Sequence, residues 1–176
     1  MKSTLPHPSG KSLLELLIVI IALLATLAFP LFGLFKAKAS YAGCINSMKS
    51  LHGGFALYLG DHQMIWPQVP DDLEREGDHG DMVAKFWYDS LKEYGINKKT
   101  WLCPADERVK DILETDEHYE STYTVTEFDE QPNRAYQWVS QPWIIESAEN
   151  HGKGVGPNVL FPDGRIERGI PLMTGP

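Results

Sequence analysis

Ser9-Gly10-Lys11-Ser12-Leu13-Leu14-Glu15-Leu16 opens onto a long apolar run, and these two pieces read together decide the fold. From Leu16 to Phe35 there are 20 residues and no charge. As a helix rising about 1.5 Å per residue, such a run matches a bilayer core of roughly 30 Å. Glu15 stands at its edge, four residues after Lys11. A carboxylate there is costly in lipid and calls for a specific partner. The helix is expected to start near Ser12, which can cap it, with Glu15 in capping-box spacing.

Charge is unevenly placed along the 176 residues, whose net charge is −8. Residues 1–43 hold Lys2, Lys11, Lys36 and Lys38 against Glu15, a balance of +3, so the remainder carries −11. So acidic a remainder argues against nucleic acid, which needs patches that neutralise phosphate. Lys2 and Lys11 precede the apolar run, as a cytoplasmic N-terminus requires. A conventional secretory signal is the rival reading. The run is long for one, and Ala25 and Ala28 offer only a poor cut site.

Pro30 removes a backbone hydrogen bond and predicts a kink, with Gly33 close behind. Beyond it, Tyr41, Cys44, Met48, Leu51, Phe55 and Tyr58 recur at helical spacing, one apolar stripe that predicts a helix ending near Leu59-Gly60. A second helix is expected over Met82–Tyr94, stopped by Gly95. The texture then becomes β. Strands are expected at Thr100–Cys103, Thr122–Phe128, Asn133–Val139, Trp143–Glu146, Asn158–Phe161 and Arg165–Ile170. The last two flank Pro162-Asp163-Gly164, a good turn sequence. Trp66, Trp87, Trp101, Trp138 and Trp143 are read as core.

The opening segment resembles the N-terminus of type IV pilins and of type II secretion pseudopilins. Gly10 matches the residue before the leader cut, Lys11 the new first residue, and Glu15 the fifth, within the apolar frame of Leu13, Leu14 and Leu16. Lys11 stands where Phe is usual, and Pro30 comes two residues earlier than the family's kinking proline. Cys44 to Lys49 with Ala56-Leu57-Tyr58, and Cys103-Pro104-Ala105-Asp106, are similar to a major-pseudopilin-like subgroup. So is the stretch His151 to Gly164, which looks like the subgroup's His-x9-Asp-Gly signature. Asn158 and Phe161 are in place, and Asp163 follows His151 after 11 residues rather than nine.

The resemblance implies a leader over 1–10, a transmembrane half-helix over 11–35, a second half over 36–60 packed on the head, and a periplasmic domain over 61–176. The fold class it implies is α+β, with a long N-terminal transmembrane or amphipathic helix on a small antiparallel sheet. Prepilin peptidase would cut between Gly10 and Lys11, Lys11 would be N-methylated, and Glu15 would neutralise a neighbouring subunit's terminal amine. The expected partners are like subunits, other pseudopilins or pilins, the peptidase and an inner-membrane assembly platform. The expected location is the inner membrane, single-pass, with the C-terminal domain in the periplasm and assembled into a pseudopilus or pilus. The alternatives are an adhesive or minor pilin, and a membrane-tethered periplasmic binding module for sugar or metal.

In that oxidising location Cys44 and Cys103 can pair, closing a long loop for roughly 3–4 kcal/mol. Two buried free thiols are the alternative, since Cys44 lies on the apolar stripe. Two cysteines 59 positions apart without a neighbouring Cys or His do not read as a zinc site. Among His7, His52, His62, His79, His118 and His151 no pair has metal-ligand spacing. His62 beside Asp61, and Asp78-His79 before Asp81, read as solvated loops. His151 and Asp163 can meet across the last loop as a structural hydrogen bond. No nucleophile motif or phosphate-binding loop accompanies them, so no enzyme and no cofactor are expected. The major pseudopilins that the chain resembles bind calcium in a C-terminal loop, and oxygen ligands are available near Asp163, but the spacing there is not diagnostic and no metal is assigned.

Overall fold

The computed structural model describes residues 10–71, 73, 80–115, 119–128, 130–147, 151 and 157–169. Most of the expected leader, the Gly-rich stretch 152–156, and His7, His79 and His118 lie outside them.

Helix α1 spans Gly10–Asp61. It starts two residues before Ser12, so Ser12 lies inside the first turn and the expected capping box does not open the helix. The helical assignment continues through Pro30. The chain divides into two compact units, Met1–Ala39 and Ser40–Pro176.

In the first unit, the described large apolar side chains from Leu13 to Leu24 are all exposed. Among the described residues no helix is long and apolar enough to cross a membrane. This corrects the fold expectation of a transmembrane helix over 11–35. It equally corrects the expected single-pass inner-membrane location with a periplasmic C-terminal domain.

The second unit is α+β. Cys44, Met48, Leu51, Phe55 and Leu59 of α1 are fully buried, so the buried face follows the expected stripe, shifted at its ends to leave Tyr41 and Tyr58 half-exposed. Phe55 is the hub. Its ring stacks on Trp66 at 4.5 Å and meets Trp87, Trp101 and Trp143 edge-on at 5.9 to 6.3 Å. Trp138 instead stands 48% exposed beneath the Arg134 guanidinium, correcting its placement in the core.

Helix α2 (Gly80–Leu91) passes into a 3-10 turn over Lys92–Tyr94, which Gly95 ends at φ +80°. The following Ile96 packs on α1 at Gly54, where a Cβ would lie 2.6 Å from Ile96 Cγ1. That contact explains the glycine better than helix propensity does. Gly54→Ala is therefore expected to lower stability by about 1–3 kcal/mol, read from a urea midpoint, rather than raise it as alanine does in an open helix.

Two expected strands are helical turns. Over Lys98–Trp101 the Asn97 carboxamide accepts from the Thr100 backbone N–H and hydroxyl, closing a 3-10 turn. Over Asn133–Val139 a short helix, α4 (Arg134–Gln137), starts from Asn133 at φ +66°. A further short helix, α3 (Val109–Glu114), buries Ile112 and had no sequence expectation.

Strands β1 (Tyr123–Val125), β2 (Ile144–Glu146), β3 (Asn158–Leu160) and β4 (Ile166–Arg168) form one antiparallel sheet in chain order. The β3–β4 turn is the expected one. Gly164 adopts φ +79°, and its N–H donates to the Phe161 carbonyl at 2.9 Å.

Candidate functional site

The site grows from the meeting of α1 with the sheet. Helical spacing puts Cys44 on the buried face of α1. Cys103 follows the 3-10 turn, and its backbone N–H donates to the buried Thr122 hydroxyl at 2.6 Å. The turn after it is closed by the Asp106 N–H to the Cys103 carbonyl at 2.9 Å. These constraints leave Cys44 and Cys103 paired as a disulfide, with Cα atoms 4.9 Å apart.

Asp106 anchors that turn electrostatically. Burial alone would push its carboxyl up, but the Arg108 guanidinium and backbone N–H outweigh burial and hold it below its usual value. A depressed folded-state value means this stabilisation is complete above the unfolded carboxylate pKa of about 3.9 and is lost as pH falls through the folded value. Arg108 is 62% exposed, so the effect is expected below about 1 kcal/mol. Asp106→Asn should accordingly lower the melting temperature at pH 7 and leave it unchanged near pH 2.

Against the cysteine pair lies Glu146, at the end of β2 and 2% exposed. Strand alternation turns Ile144 and Glu146 to the same buried face. Its Oε2 accepts from Asn158 twice, from Nδ2 at 2.8 Å and from the backbone N–H at 3.1 Å. Its Oε1 lies 3.2 Å from His151 Nε2 and 3.7 Å from Cys44 Sγ. His151 Nε2 is in turn 3.6 Å from Cys103 Sγ. One ligand atom from each of Cys44, Cys103, Glu146 and His151 falls within 4.8 Å of all the others. Tyr123, paired with Glu146 across β1–β2, has its phenol pushed far above the usual range by burial, with the neighbouring carboxylate adding to it.

The C-terminal signature residues take distinct places. His151 meets Glu146 rather than the expected Asp163. Asn158 holds Glu146. Phe161 lies beneath the Arg165 guanidinium at 4.3 Å. Asp163 accepts from the Arg165 N–H at 3.0 Å and so helps to shape the turn. Gly164 lets the turn approach the His52 ring, whose Nε2 lies 2.8 Å from the Pro162 carbonyl. The signature thus fastens β3–β4 to α1.

Gly10, Lys11, Glu15 and Pro30 all belong to α1, and Glu15 is exposed. His62 is exposed and stacks on Tyr58. It borders an open groove of about 650 Å³ whose lining includes Lys85 and Asp89, an ion pair that Lys92 joins. Those charges satisfy one another instead of converging on a ligand.

Glu146 is the residue that the sequence reading missed. A carboxylate closing the apolar strand Trp143-Ile144-Ile145 was its one local signal. Its partners lie 102 residues upstream and 12 downstream, which no spacing rule joins. Comparison with protein-family models, with curated proteins and with solved structures finds no match.

Proposed function

We propose that the chain is a structural subunit of a pseudopilin-type filament in a type II secretion-like system. It is cut behind Gly10 by prepilin peptidase and joined to like subunits through α1. The observation that carries this reading is the apolar surface of the first unit. Leu13, Leu14, Leu16, Leu17, Ile18, Val19, Ile21, Leu23 and Leu24 are 54–61% exposed on consecutive turns. A water-exposed helix surface of this kind needs covering, and identical helices of neighbouring copies cover it repeatedly. Glu15 sits at the start of that surface, where a carboxylate can meet the terminal amine that cleavage creates on the next copy.

The Ser40–Pro176 unit supplies the head. Its cross-link between α1 and the loop before β1 ties the assembling helix to the sheet-bearing part of the same unit. The subunit's work is mechanical and requires no chemistry.

Leu17→Lys tests the reading. The substitution puts a charge on the proposed inter-subunit surface and leaves the head core untouched. High-mass assemblies, pelleted from lysates of the native cell and detected with antibody against the head, are expected to fall at least tenfold. The thermal transition of the head should not move. Undiminished assemblies would overturn the reading.

A further inference from the structure

Beyond that reading, we propose that Cys44, Cys103, Glu146 and His151 form a redox-gated zinc site, closed by the disulfide and opened by a dithiol reductant. A disulfide alone gives no reason for its neighbours. Its sulfurs have no proton to donate, yet a fully buried carboxylate and a 6% exposed imidazole both direct ligand atoms at them. The same four groups, with the sulfurs reduced, are a ligand set for zinc: two thiolates, one imidazole nitrogen and one carboxylate oxygen. Thiolate and imidazole together disfavour calcium and magnesium, which take oxygen.

The surrounding residues support this set. Asn158 holds Glu146 Oε2 from two donors and leaves Oε1 facing the sulfurs and His151. Metal-ligating carboxylates are typically oriented by outer hydrogen bonds in this way. Asn158 Oδ1 is buried and without a hydrogen-bond partner, a further acceptor beside the cluster. The Tyr41 ring packs edge-on against His151 at 5.1 Å, with the Arg168 guanidinium 4.7 Å above it. These contacts fix the imidazole and put a cation near a site whose four ligands would outweigh the charge of zinc by one.

The reaction balances. A dithiol gives two electrons and two protons to the Cys44–Cys103 bond, leaving two protein thiols and the reductant's disulfide. Zinc then displaces the two thiol protons. The sulfurs need to separate only to about 3.8 Å, the edge of a tetrahedron with Zn–S bonds of about 2.3 Å. The Cα atoms already stand 4.9 Å apart.

The test uses the full chain, reduced with a water-soluble phosphine, which competes less for zinc than a dithiol does, and then freed of it under anaerobic conditions. Zinc is titrated against a chromophoric chelator, and cobalt is added separately to read thiolate-to-metal charge-transfer absorption. Circular dichroism checks that the reduced chain is folded. The expected result is a single zinc ion per chain, held tighter than about 1 µM, with a tetrahedral cobalt spectrum. The oxidised chain should bind at least a hundredfold more weakly. His151→Gln and Glu146→Gln should each weaken binding about 10–100-fold while the thiolate–cobalt band persists. A folded, reduced chain that takes up no zinc overturns the proposal. So does binding that is indifferent to both substitutions.

Discussion

Reducing the Cys44–Cys103 pair without added metal is expected to lower the stability of the Ser40–Pro176 unit by about 3–4 kcal/mol. The bond closes a loop of sequence separation 59, and loop closure restricts the unfolded chain more as the loop lengthens. For a domain of this size the loss corresponds to a fall of about 10–15 °C in melting temperature. The physical origin predicts where the change appears. The denatured state expands on reduction, so the slope of stability against urea should rise as the midpoint falls. Equilibrium urea unfolding of the oxidised and reduced chain reads both. A midpoint unchanged by reduction would mean that α1 and the Cys103 turn hold together without the bond.

Glu146→Ala should cost as much or more, about 3–5 kcal/mol. The side chain is 0% exposed, accepts from Asn158 Nδ2 and the Asn158 N–H, and lies 3.2 Å from His151 Nε2. Its removal strands the two buried Asn158 donors and opens a void beside the disulfide. Glu146→Gln keeps an oxygen for Asn158 but brings an amide group towards His151 and Cys44, and should lose about 1–3 kcal/mol. The ordering Ala worse than Gln, read from urea midpoints at pH 7, distinguishes loss of hydrogen-bond acceptors from loss of charge. Equal losses would place the effect in the charge alone.

Features with a local cause were legible in the sequence. Cys44, Met48, Leu51 and Phe55 of the expected stripe are buried because their spacing is helical. The β3–β4 turn forms at Pro162-Asp163-Gly164 because Gly164 supplies the positive φ. Helix α2 and its 3-10 extension end at Gly95 for the same reason. Where a side chain competes for the backbone, the strand reading failed: Asn97 closes a turn on Thr100, and Asn133 opens α4.

The transmembrane expectation failed differently. The uncharged run from Leu16 to Phe35 has the composition of a span, but among the described residues no helix is long and apolar enough to cross a membrane. The cluster around Glu146 was invisible because strand register and helix docking create it. His151 reads as a partner of Asp163 along the chain and in space faces Glu146 and the cysteines.

The central claim is that this is a processed filament subunit, and the intact mass of the protein extracted from its native cell tests it most directly. The account predicts a chain beginning at Lys11, lighter by the ten leader residues and heavier by one methyl group on the new amine. A chain of full length, uncut behind Gly10, would contradict it.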